Sequence, residues 1–282
     1  MRTDARGCKA RARRFRMDNP ESAYIALESG KFRATELTRG PWNPEHQHAG
    51  PPIALVAGAI ERAAAALGLR HVARLTANLL RPIPIAELEV AIQTEYAGRN
   101  VAHFAAQLRA DGKEVARLTA VAQRESVIEV PEGLPGHPLA AAPLPVEQSA
   151  PVRFPFSRQT TGYQDFIEAR IARGTFFRGP CAVWFRLRHP LVAGEEPSAI
   201  QRVAVAADSG NGISSVLDFG RFVFVNSDLT INLLRRPQGE WICIDAQTLV
   251  GPDGNGLAEA RIFDEQGLAG RSTQSLPIRR RD

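Results

Sequence analysis

Cysteine is scarce in this chain: Cys8, Cys181 and Cys243 are three among 282 residues, and they are widely spaced. That excludes a disulfide framework and any paired Cys-x-x-Cys metal site, and it suits a reducing, cytoplasmic setting. Long apolar runs are missing too. No stretch approaches the roughly 18 consecutive apolar residues of a membrane helix, and the N-terminus lacks the apolar core of a secretory signal. There is no Gly-x-Ser-x-Gly elbow, which argues against a serine esterase. Neither a Gly-x-Gly-x-x-Gly nor a Walker segment is present.

The excess of positive charge is confined to one end. The net charge is +5, yet residues 1–16 hold seven bases and a single acid, Asp4. Removing those from the 35 bases and 30 acids of the whole leaves the remainder one charge negative. The tail, residues 1–22, therefore reads as a solvated end with translation starting at Met17, rather than as a nucleic-acid or membrane arm. With 44% apolar and 23% charged residues, the rest has the balance of a globular protein of one large or two ordinary domains.

What is present is mostly strand. Phe32 to Thr38 alternates. A loop, Gly40 to Pro52, leads into Ile53–Leu67, whose alanines and leucines predict a helix apolar enough to be buried. Residues 72–81, 87–97, 100–110 and 114–124 read as strands, with hairpin signals at Ala97 to Asn100 and at Asp111-Gly112. Residues 126–151 carry six prolines and read as a linker between an N-terminal unit (23–125) and a C-terminal unit (152–282). The second unit repeats the plan: strands at 164–173 and 181–188, a helix capped by Ser198 and running through Ala207, a glycine-rich turn from Asp208 to Gly212, then strands at 221–225, 229–235, 240–249, 257–263 and 268–278.

One phrase occurs twice. Leu75-Thr76-Ala77-Asn78-Leu79-Leu80-Arg81-Pro82 returns 154 residues later as Leu229-Thr230-Ile231-Asn232-Leu233-Leu234-Arg235, followed by Pro237. The repeat implies duplication, each copy being the strand that crosses its unit's central helix. Each half is strand, buried helix, then antiparallel strands: an α+β fold with a sheet wrapped round one helix.

This layout resembles the TesB-like acyl-CoA thioesterases, in which two hotdog units are fused as a pseudo-dimer of two antiparallel sheets, each round a central helix. The resemblance covers most of residues 23–280. It is carried by His48-Ala49-Gly50-Pro51-Pro52, by Asn226 to Leu233, and by Glu259 to Asp264 with Gly270 to Ser275. It implies hydrolysis of an acyl-CoA to free acid and CoA by an activated water, with no metal or other cofactor, in a chain that stands alone or forms a homodimer or homotetramer. It also implies a catalytic Asp, Thr and Gln, matched here by Asp208, Thr230 and Gln274.

Subtracting 154 maps Thr230 onto Thr76, Asp208 onto Ala54 and Gln274 onto Ala120, while Arg271 and Thr273 map onto Arg117 and Thr119. The polar pair belongs to the second copy alone. A carboxylate can act as general base or orient the water. A threonine hydroxyl both donates and accepts, and a glutamine amide can donate to water or oxyanion. Asn232 shares the Thr230 face, and backbone N–H groups near Gly50 or Gly210 could complete an oxyanion hole.

Two other readings stand beside this one. Asn43-Pro44-Glu45-His46 resembles the Asn-Pro-x-His core of hotdog enoyl-CoA hydratases, but Pro41 occupies the place of that family's Asp. A non-catalytic acyl-CoA-binding protein would keep the same shape. His46 and His48 lack a third ligand at a sensible spacing, and a loop histidine pair is the simpler account. Cys243 reads as a small core residue on a strand.

Overall fold

A computed structural model of the chain describes residues 20–28, 30–129, 142–154 and 161–281. The basic tail through residue 19, including Cys8, and the centre of the proline-rich stretch lie outside them.

The first half contains β1 (Tyr24–Ala26), β2 (Lys31–Ala34), α1 (Gly50–Ala66), β3 (His71–Leu79), β4 (Glu87–Ala97), β5 (Val101–Ala110) and β6 (Lys113–Gln123). The second contains β7 (Ala150–Val152), a helical turn α2 (Tyr163–Phe166), β8 (Ile167–Arg173), β9 (Cys181–Leu187), α3 (Ala199–Ala207) and α4 (Gly210–Ser214). These are followed by β10 (Phe222–Val223), β11 (Asp228–Leu233), β12 (Ile242–Val250), β13 (Asn255–Asp264), β14 (Gly267–Pro277) and β15 (Arg279–Arg280).

Local chemistry explains most of these elements. Pro51 and Pro52 open α1, where a first turn has no N–H partner to lose. Asp111 and Gly112 both take positive φ, 48° and 71°, the twist a two-residue hairpin between β5 and β6 demands. At the start of α3 the Ser198 N–H donates to Gln201 Oε1 at 2.9 Å, so the cap is made by the glutamine side chain and not by the serine hydroxyl.

The duplication is visible in the strands. β5 and β13 differ by 154 residues at both ends, and so do β6 and β14. A register break falls at Leu108/Arg109 in one hairpin and at Ile262/Phe263, the same offset, in the other.

Four expectations change. The two sheets are one. Thirteen strands run in the order β1-β2-β4-β5-β6-β3-β11-β14-β13-β12-β9-β8-β7, antiparallel throughout. The twin phrases close the gap between halves: β3 pairs with β11, Thr76 opposite Thr230, with their hydroxyls 3.3 Å apart. Each strand would otherwise be an edge with unpaired N–H and C=O groups, and each supplies what the other lacks.

The glycine-rich turn after α3 is the short helix α4. The chain breaks its helix at Asp208-Ser209 and resumes it at Gly210. The linker reading ends early, because Ala150–Val152 pairs with β8; its Pro151 is tolerated there on the outermost strand. The segment from 164 begins as helix, with strand only from Ile167.

The core lies between sheet and helices. α1 and α3 pack against each other; α1 also lies on β3 to β6, and α3 and α4 lie on β9 and β11 to β13. Leu229, Ile231 and Leu233 turn inward from β11 and are buried, while Thr230 and Asn232 belong to the opposite, outer face. A second, smaller apolar cluster on that outer face includes Trp184, Trp241, Cys243 and Phe263, and Trp184 Nε1 donates to the Leu144 carbonyl at 2.8 Å.

Candidate active site

Asp208 follows the last residue of α3, and its position comes from the helix break. It lies between the negative end of α3 and the positive start of α4. Gln274, reaching inward from β14 and 2% exposed, holds that break from behind. Its Nε2 donates to the Asp208 carbonyl at 3.3 Å, and its Oε1 accepts the Asn211 N–H at 2.9 Å. Copy one has alanine at the corresponding strand position, and its helix α1 has no break to hold.

The Asp208 side chain is 4% exposed and fully engaged. One oxygen, Oδ1, accepts from Asn226 Nδ2 at 3.0 Å, and the other, Oδ2, lies 2.9 Å from His48 Nδ1. His48 precedes α1 in the opposite half of the chain. Its ring stacks on Tyr163, with centroids 3.8 Å apart and planes 2° apart. Tyr163 is itself fixed. Its hydroxyl donates to the Val205 carbonyl at 2.9 Å and pairs with Ser209 Oγ at 3.0 Å. Burial drives its pKa well up, against the smaller opposing effect of Ser209, so it stays a neutral shelf.

Nδ1 of His48 also has the Gly50 N–H 3.2 Å away. One nitrogen cannot both give and take a proton. Beside an ionised carboxylate, which only accepts, the consistent assignment is Nδ1–H donating to Asp208, with the lone pair of the neutral ring on Nε2.

Gly50 is needed where it stands. A Cβ there would sit 2.7 Å from the Val205 carbonyl oxygen and 3.2 Å from His48 Nδ1. Gly50→Ala is therefore expected to cost about 1–3 kcal/mol of stability and to displace the imidazole. Denaturant titration and turnover, measured on the same preparation, should both fall; an unchanged melt would show that the backbone yields freely.

These groups open on a cavity of about 570 Å³ between the halves. His48, Asp208, Asn211 and Asn226 line one part of it, and Trp42, Ile83 and Phe219 supply apolar wall. Asn211 is 5% exposed, and its Oδ1 has no partner among the described residues. Arg39, Arg81 and Arg279 also border the cavity. Among the described residues no group of three His, Cys, Asp or Glu side chains could hold a metal ion, and no helix is long and apolar enough to cross a membrane.

Of the residues proposed from sequence, Asp208 and Gln274 come together. Thr230 does not join them: it is on the outer face, its hydroxyl bonded across the seam to that of Thr76, and exposed Asn232 shares that face. Gly50 and Gly210 pack behind the cavity rather than lining it. His46 lines the cavity, and Asn43 closes a local turn by accepting the Glu45 N–H at 2.8 Å.

The subtraction of 154 also weakens at the helices. α1 and α3 begin at 50 and 199, an offset of 149, so Asp208 aligns with Ala54 from the strands and with Ala59 from the helix starts. Copy one has alanine either way. A buried hydroxyl that sequence reasoning passed over is Thr248. It shares the inner row with Ala258 and Gln274 and pairs with Ser214 Oγ at 2.8 Å.

An antiparallel sheet wrapped on buried helices, with a carboxylate at the wall of a partly apolar cavity, is the build of a hotdog thioesterase. Residues 38–123 match the family model of the acyl-CoA thioesterase N-terminal domain, and residues 139–278 that of the C-terminal domain. The chain belongs to the TesB-like acyl-CoA thioesterases and is a thioesterase.

Solved structures share the fold at low identity. A thioesterase II described as putative, from Thermobifida fusca, is 15% identical, with a TM-score of 0.69 over 92% of this chain and 96% of that one. A hot dog fold protein from Alicyclobacillus acidocaldarius is 16% identical, with a TM-score of 0.67 over 93% and 97%. The acyl-CoA thioesterase II TesB2 of Mycobacterium marinum is 16% identical, with a TM-score of 0.59 over 92% and 95%. No curated protein matches the chain.

Proposed function

We propose that this thioesterase hydrolyses acyl-CoA to free acid and CoA in the cavity between its two halves, with Asp208 as the carboxylate on which the chemistry depends. The observation that carries the reading is a buried, ionisable side chain at the wall of a cavity that also offers apolar surface and arginines. The thioester carbonyl would lie near Asp208. Trp42, Ile83 and Phe219 would receive the acyl chain, and Arg81 and Arg279, both exposed, would face the phosphates of CoA.

Gln274 supports Asp208 by holding its turn. Thr230 has a part in joining the halves rather than in the reaction. We read residues 23–125 and 150–282 as two hotdog units whose sheets have merged along β3 and β11, with 126–149 as their connection.

Free-thiol release from short, medium, long and aromatic acyl-CoAs tests the reading, with release expected from at least one class. Silence across the whole panel would leave a protein that binds acyl-CoA without cleaving it. Loss of conjugated enoyl-CoA absorbance without thiol release would point instead to hydration.

A further inference from the structure

We propose that the base that meets the attacking water is His48, through Nε2, and that Asp208 acts on it as a positioning residue. This rests on the cavity being the thioesterase site, and it changes which atom touches the water. Asp208 spends one oxygen on Asn226 and the other on His48, and it is almost wholly buried. The imidazole is fixed on three sides: Asp208 at Nδ1, the Tyr163 ring against its face, and the Gly50 backbone beside it. Nε2 has no partner among the described residues, and the ring lines the cavity. A ring oriented by a carboxylate at one nitrogen and open at the other is the geometry of a general base. Asn211, whose buried Oδ1 has no partner among the described residues, lines the same cavity.

The step balances without a co-reactant. Nε2 takes a proton from water as the water oxygen bonds to the thioester carbonyl carbon, placing the negative charge on the carbonyl oxygen. Collapse of that intermediate breaks the carbon–sulfur bond. The imidazolium returns its proton to the departing thiolate, leaving carboxylic acid and thiol. Asp208 stays ionised and stabilises the imidazolium throughout. The titratable and charged groups around the ring are Asp208 and Tyr163, His46 and Arg39 from the loop before α1, and Arg81 and Arg279 across the cavity.

The test compares wild type with His48→Gln and His48→Ala on an S-acyl-N-acetylcysteamine, a thioester that carries no CoA. Failure of the acyl-CoA panel would then fall on the substrate reading, and the histidine would still be assayed. Both variants should lose about 10²–10⁴-fold in kcat with KM within threefold. Wild-type kcat should carry an acid-side limb that is lost or displaced in both variants. Added imidazole should restore part of the turnover of His48→Ala. A kcat within tenfold of wild type, an acid limb unchanged in both variants, or an Ala variant indifferent to imidazole would overturn the proposal and return the base to Asp208.

Discussion

Asp208→Asn lowers kcat for thioester hydrolysis by about three orders of magnitude and leaves KM and the melting temperature nearly unchanged. The substitution keeps the shape of the side chain and removes its charge. An amide can accept at only one of its two heads, yet Asp208 accepts at both, from Asn226 and from His48. One contact must become N–H against a donor. If the loss falls on His48, the ring is released to the tautomer that places its proton on Nε2, where a base needs its lone pair. Loss of an orienting carboxylate in a comparable dyad costs on the order of 10⁴ in kcat. Steady-state kinetics with a thermal melt on the same sample decides the matter. Turnover within tenfold of wild type, in a folded protein, would place the reaction elsewhere.

The largest stability effect is expected far from the cavity. Asp264, at the end of β13, has no exposed side-chain surface. Both its oxygens meet Arg235 at 2.5 Å, and it also accepts the N–H groups of Gln238 at 2.7 Å and Gln266 at 2.8 Å. Asp264→Ala takes the carboxylate from two backbone donors and from Arg235, whose side chain is 31% exposed and keeps the Leu268 and Gly267 carbonyls, and is expected to cost about 3 kcal/mol.

Burial on its own would raise the carboxyl pKa, but Arg235 and the two N–H groups outweigh it and hold it below the ordinary value. A depressed pKa means that the folded state favours the ionised form. The contribution is complete above the unfolded carboxylate pKa, roughly 3.9, and disappears as pH falls through the lower folded value. Urea titrations of wild type and variant should therefore differ most at neutral pH and converge in acid. Equal stability at pH 7 would refute this account.

The sequence was most informative where period and turn chemistry act locally. Apolar alternation and the Asp111-Gly112 pair placed β5 and β6 within a residue of their observed ends, and the offset read from Thr76 and Thr230 holds for whole strands. Two signals were short-range and misread. The glycines after Asp208 suggested a turn, although buried Asn211, Ile213 and Ser214 keep that stretch helical. The prolines of 126–151 suggested a linker running through Pro151, although Pro151 itself lies in the outermost strand, which accepts it.

The rest was long-range. His48 and Asp208 are 160 positions apart and belong to different halves, and no periodicity connects them. Thr230 satisfied the family pattern by residue type, but strand alternation turns it away from Gln274, since partners Thr230 and Thr273 share a face and Gln274 is next along the strand. Alternation was legible from the start; what was missing was which face held the helices.

The seam carries one further consequence, in the language of symmetry. Thr76 and Thr230, equivalent in the two copies, are also each other's partners, so a local two-fold axis passes between them. A strand of this kind is complementary to itself. Two separate copies of one half, joined through it, would form two identical pockets, and any substitution would strike both at once. Held in a single chain, the copies answer separately: one helix can break, gain Asp208 and recruit a histidine from the far half while the other stays continuous and keeps its alanine. Fusion of the halves is what permits the symmetry to be broken.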